Sequence, residues 1–196
     1  MPRQAAKAAP SAPSAPTAPA PPSAGLKATA PAAAGIVSSS HLVSPRSTEL
    51  SEFEFGLIVA WNAFARWAVR CMAAAGKADM TITDVLLLHH VNHRARNKKL
   101  ADICFVLNYE DTHVVVYSLK KLVAAGLVQA DKQGKEVVYS PTPAGEQLVQ
   151  RYRELRETCL VDSLDVERNA DIGDVARLMR TMSGQYDQAA RAASSM

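Results

Sequence analysis

Thr112, His113, Val116, Tyr117 and Lys120 are spaced to share one side of an α-helix, opposite an apolar stripe of Val115, Leu119 and Leu122. Together they carry the chemistry of nucleic-acid contact. Thr112 and His113 stand at the helix N-terminus, where free amides attract phosphate. Val116 suits a thymine methyl, Tyr117 donates to a phosphate, and Lys120 with its neighbour Lys121 reaches phosphate or guanine. Downstream, Lys132, Gln133 and Lys135 surround Gly134 at the tip of a short hairpin, a second set of phosphate contacts. The same residues also fit an ordinary solvated helix face and an ordinary turn. The order of the surrounding elements favours double-stranded DNA as the partner.

Other chemistry is weaker. His89 and His93 are at i, i+4 spacing, which can place two imidazoles on one side of a helix. The run His-His-Val-Asn-His lacks the Glu of a zincin helix, and no third ligand is visible, so structural or solvent-facing histidines are favoured over metal. Cys71, Cys104 and Cys159 are far apart and without CxxC spacing, as suits a reducing cytoplasm. Cys71 and Cys104 fall on apolar helix faces and read as small hydrophobes rather than redox sensors. The chain shows no glycine-rich phosphate loop, nucleophile elbow or paired-carboxylate motif, so neither an enzyme nor a cofactor is expected.

The elements that position these residues are mostly helical. A helix opens at Ser51, with Glu54 completing a capping box, and runs to about Ala75 with Leu57, Trp61, Phe64, Ala68 and Cys71 on one face. Thr81 and Asp84 open a second helix, to about Val91. Residues 92–97 are polar and irregular. A third helix spans Leu100–Leu107, with Leu100, Ile103, Cys104 and Leu107 on one face. After a turn at Asn108–Glu110, Asp111 caps a fourth helix through Ala125, ended by Gly126. Leu127–Ala130 and Glu136–Tyr139 form a hairpin. Thr142 and Pro143 open a fifth helix to about Leu164, and a sixth runs from about Ile172 to Ala190. The fold class is mostly α with a small β-hairpin wing: a winged helix-turn-helix at about 81–141 plus long dimerisation helices at about 49–75 and 143–192. Amphipathic helices outside the DNA-binding module predict a symmetric homodimer, with two recognition helices about one DNA turn apart on a pseudo-palindrome.

Composition separates a tail, residues 1–45, from the domain at 46–196. The tail holds nine of the eleven prolines, is otherwise rich in Ala and Ser, and precedes the first acid, Glu49. It buries too little apolar surface to order and is expected to be disordered. Arg3, Lys7, Lys27 and Arg46 account for more than the net charge of +3, and the remaining residues hold 18 basic and 19 acidic side chains. Charge favours nucleic acid only locally: residues 89–135 hold eight Lys/Arg against four Asp/Glu, while residues 143–196 hold seven against nine. No secretory core follows Arg3 and no apolar run approaches a membrane span, so no membrane partner is expected.

The fourth-helix ending Ser-Leu-Lys-Lys-Leu-Val-Ala-Ala-Gly-Leu-Val (Ser118–Val128), the short wing and Thr-Pro-Ala-Gly-Glu-Gln-Leu-Val (Thr142–Val149) resemble the MarR family of bacterial transcription regulators across roughly residues 49–190. The resemblance implies a cytoplasmic, dimeric regulator, by default a repressor, that binds an inverted repeat and is released by a small aromatic effector. It places the effector between the dimer helices and the winged module, with Trp67 and Phe64 as pocket walls. Two features depart from the family. The wing has Asp131-Lys132-Gln133 where many members carry Asp-x-Arg, so Lys132 and Lys135 must replace the minor-groove Arg. The recognition helix is also unusually apolar, with Val114, Val115 and Val116 in a row. The alternative is a winged-helix protein-interaction module without sequence-specific DNA binding.

Overall fold

Residues 43–196 are described in the computed structural model. The described residues fall into two units, 43–52 and Phe53–Met196. The described part of the first holds a bridge between Ser44 and Ser47 and the opening of helix α1 (Thr48–Ala74). Most of the expected tail lies outside the described residues.

The second unit is built around α2 (Ile82–Asn92), α3 (Leu100–Leu107), α4 (Thr112–Ala124) and α5 (Pro143–Cys159). Val85, Leu87, Leu88 and Val91 of α2 meet Ile103 of α3, Val115, Leu119 and Leu122 of α4, and Leu148 and Tyr152 of α5 in one core. Ala68 and Met72 of α1 close it from one side. The expected helix starts are made by the expected side chains at three places. Thr81 and Asp84 form a reciprocal capping box, Thr81 N–H donating to Asp84 Oδ2 at 2.8 Å and Asp84 N–H to Thr81 Oγ1 at 3.2 Å. Asp111 accepts from His113 N–H at 2.8 Å, and Thr142 from Gly145 N–H at 3.1 Å.

A three-stranded antiparallel sheet has the order β1–β3–β2, with β1 Lys98–Lys99, β2 Val128–Gln133 and β3 Glu136–Pro141. The hairpin is longer than its apolar residues suggest, because Lys132↔Val137 and Gln133↔Glu136 continue the ladder to a two-residue loop, Gly134–Lys135. β1 was not expected. It exists because Lys98 and Lys99 pair with Tyr139 and Val138 of β3, a long-range contact without local signal.

Other boundaries moved. α1 begins at Thr48, so Ser51 lies inside the helix and does not cap it. α5 ends at Cys159 rather than near Leu164. Short-range bonds from small polar residues compete with the helix there: Ser163 Oγ donates to Leu160 O at 2.7 Å, and Asp165 accepts from Glu167 N–H at 3.0 Å to open a 3₁₀ turn at Val166–Arg168. α6 spans Asn169–Ala193. Leu57, Ile58, Trp61 and Phe64 of α1 are exposed, as are Ile172, Val175, Leu178 and Met179 of α6. Among the described residues no helix is long and apolar enough to cross a membrane.

Candidate nucleic-acid interface

The fourth helix is fixed from within. Val115, Ser118, Leu119 and Leu122 are buried, and Ser118 donates its hydroxyl to Asp84 Oδ1 of α2. That carboxylate is only 1% exposed and also accepts from Lys121 Nζ at 2.7 Å. Burial pushes the Asp84 carboxyl up, but bonds from Lys121, Ser118 and Thr81 outweigh it and hold the group below the usual range. Lys121 Nζ also donates to Asp79 O at 2.5 Å. Its ammonium is therefore committed to α2 and the loop before it, and its bond to Asp84 holds its pKa above the ordinary lysine value. Of the residues expected to contact DNA, Lys121 alone is engaged in this way. Its partner lies 37 positions away, which no local pattern reveals.

The opposite face of α4 is open. Thr112, His113 and Lys120 are exposed, Tyr117 is 75% exposed, and Val116 is half-buried. Val114 is exposed as well, a position the helical spacing did not single out. Beyond Gly126, the hairpin presents Lys132, Gln133 and Lys135, all exposed. Lys132 and Gln133 are the last residues of β2 rather than tip residues, and the tip itself is Gly134–Lys135.

Before α3 the sequence carries Arg94, Arg96, Lys98 and Lys99, which fall into two kinds. Lys98 Nζ donates to His93 O at 2.5 Å and Val91 O at 3.3 Å, tying down the end of α2. Lys99 pairs with Glu136 at 2.6 Å. Arg94 and Arg96 are exposed, Arg94 with φ 64° in a 3₁₀ turn at His93–Ala95.

His93 caps the C-terminus of α2, its N–H donating to His89 O one turn back, and its ψ of 122° turns the chain out of the helix. The His89 ring meets Tyr152 edge-on, with centroids 4.4 Å apart, and its buried Nε2 has no hydrogen-bond partner. Among the described residues no three His, Cys, Asp or Glu side chains gather as a metal site. Cys71 and Cys104 are buried, and burial pushes both thiols up, away from the reactive thiolate.

The two aromatic residues expected to wall an effector pocket lie elsewhere than the apolar cavity. Trp67 packs against the core, and Phe64 is exposed with its ring 6.0 Å from that of Trp61. An apolar cavity of about 310 Å³ opens between α1 and α6, lined by Phe53, Leu57, Met179, Met182 and Tyr186, and reaches Asn108 in the turn between α3 and α4. Tyr186 donates its hydroxyl to Glu54 at 3.0 Å, and the Asn108 side-chain amide donates to Asp187 at 3.3 Å. No sequence pattern pointed to this cavity, because its walls come from opposite ends of the domain.

Residues 80–145 match the family model described as a winged helix DNA-binding domain. No curated protein matches the sequence. Among solved structures the chain is similar to AbfR of Staphylococcus epidermidis, with 17% identity, 70% of this chain and 93% of that one covered, and a TM-score of 0.59. It is also similar to a MarR transcriptional regulator from Methanosarcina mazei Go1, at 15% identity, 69% and 99% coverage and a TM-score of 0.57. A third similar structure is Streptococcus pneumoniae FabT in complex with DNA, at 15% identity, 70% and 99% coverage and a TM-score of 0.53.

Proposed function

The chain has the winged helix fold seen in structures of MarR-family transcription regulators, and we propose that it is itself a DNA-binding transcription regulator, acting in the cytoplasm as a homodimer on an inverted repeat. One observation carries this reading. A helix seated in the core by Val115, Leu119 and Leu122 leaves Thr112, His113, Tyr117 and Lys120 outward, beside a hairpin that exposes Lys132 and Lys135. That is a recognition helix with a phosphate-binding wing. FabT, a structure of the same fold, is in complex with DNA. The exposed apolar faces of α1 and α6 are the surfaces of the proposed homodimer. Repression follows when the occupied repeat overlaps a promoter. Release by a small aromatic effector is assigned to the α1–α6 cavity rather than to Trp67 and Phe64, because the cavity reaches the turn that joins the two helices of the DNA-binding motif.

The test is selection from a pool of random duplexes, with Lys120→Ala/Lys132→Ala as the control. An enriched inverted repeat, lost in the control, is expected. No enrichment at low salt with folded dimeric protein refutes the reading. It would favour a protein-docking module, for which Phe105 of α3, 86% exposed, is the supporting observation.

A further inference from the structure

The junction between α4 and α5 is held by backbone groups and the Thr142 hydroxyl. Gly126, at φ +69°, turns the chain out of α4, and its carbonyl accepts from the Thr142 hydroxyl at 2.7 Å. The same hydroxyl oxygen accepts from Gly145 N–H at 3.1 Å, and Thr142 N–H donates to Leu127 O at 3.3 Å. Val128↔Pro141 closes the hairpin base beside it. Gly145 then lies directly on the Leu127 carbonyl: a Cβ there would come within 2.1 Å of its oxygen and 3.1 Å of its carbon. Those atoms are backbone and cannot swing aside.

We infer that Thr142 and Gly145 are positioning residues that fix the angle between the recognition helix and α5, and so set the half-site spacing the dimer accepts. The inference rests on the proposed dimeric DNA binding. α5 continues through a short connection into α6, whose apolar face is uncovered, so an angular change at the junction alters where each recognition helix stands relative to the dimer axis. The lever can be sized. To accept a Cβ at Gly145, α5 must back away by about 1.3 Å to reach ordinary contact. Tyr152, buried seven residues on, is an anchor about 10 Å along the helix, so the tilt is about 7°. α4 is about 18 Å long and turns that tilt into about 2 Å at its far end. Displacements in two symmetry-related protomers then sum to about 4 Å, against a base-pair rise of about 3.4 Å.

The experiment selects inverted half-sites joined by randomised spacers of different length, using the full chain and Gly145→Ala. The variant is expected to remain dimeric and keep the half-site sequence. Its preferred spacer should shift by about one base pair, and its affinity for the wild-type spacing should fall about tenfold or more. Thr142→Val, which keeps Gly145, should broaden the spacer preference, and Thr142→Ser should restore it. Should Gly145→Ala not fold, the Thr142 pair decides alone. An unchanged spacer preference in a folded variant overturns the inference. Wild-type protein that selects no duplex overturns the DNA-binding reading and this inference with it.

Discussion

Replacing Lys121 with methionine keeps most of the side-chain bulk but leaves Asp84, 1% exposed, without its cation. Removing one partner of a buried ion pair costs roughly 3–5 kcal/mol. The Lys121 side chain is 33% exposed, so solvent screens part of the interaction and the expected loss is about 2 kcal/mol. For a domain of this size that corresponds to a Tm lower by about 4–8 °C at pH 7. The pH dependence separates a lost ion pair from lost packing. In the wild type, Asp84 is held below the usual carboxylate range. Its contribution is therefore present above the unfolded pKa, about 3.9, and is lost as pH falls through the lower folded value. In Lys121→Met, burial is left with less opposition and pushes the carboxyl up. The folded variant then takes up a proton before the unfolded chain does, so it regains stability relative to wild type as pH falls. Thermal melts followed by circular dichroism at pH 7 and pH 4.5 should show a smaller gap at the lower pH. A change under about 1 °C at pH 7, or an equal gap at both, would refute the reasoning.

Three further outcomes are expected. His89 is mostly shielded from solvent and its Nε2 lacks a partner, so burial lowers its pKa and opposes protonation in the folded state. Stability should fall as pH drops below the unfolded histidine value of about 6.5, and His89→Phe should flatten that decline in denaturant titrations between pH 7.5 and 5. Leu119→Ala, on the core face of α4, should destabilise by about 2–5 kcal/mol in the same assay. Trp61→Glu on the exposed apolar face of α1 should shift sedimentation from dimer to monomer while the far-ultraviolet spectrum is retained.

Much of the fold was legible because local chemistry and tertiary packing agree. The i, i+3, i+4 stripe of Leu100, Ile103, Cys104 and Leu107 marks α3 to the residue, and Thr81, Asp111 and Thr142 each cap the helix they open. What escaped depends on distant partners. β1 is two lysines given strand geometry by β3. Lys121 resembles its neighbour Lys120 in sequence, and only the fold shows that Asp84 faces one and not the other. The apolar cavity joins residues near positions 53–57 and 179–186, a juxtaposition made only by the fold. Pro141 and the two-residue tip lengthen the wing beyond its apolar residues, because ladder pairing extends strands that hydrophobicity alone would end sooner.

The most direct test of DNA binding is its salt dependence on a selected duplex. If Lys120, Lys132 and Lys135 of each protomer of the proposed homodimer contact phosphate, about six contacts per dimer give a slope of about −5 in log K against log salt. Affinity should fall about a thousandfold between 50 and 200 mM salt, and Lys132→Ala should lower the slope by about two per dimer. Binding that is unchanged across that range, or a Lys132→Ala variant with an unaltered slope, would contradict an interface built from this helix and wing.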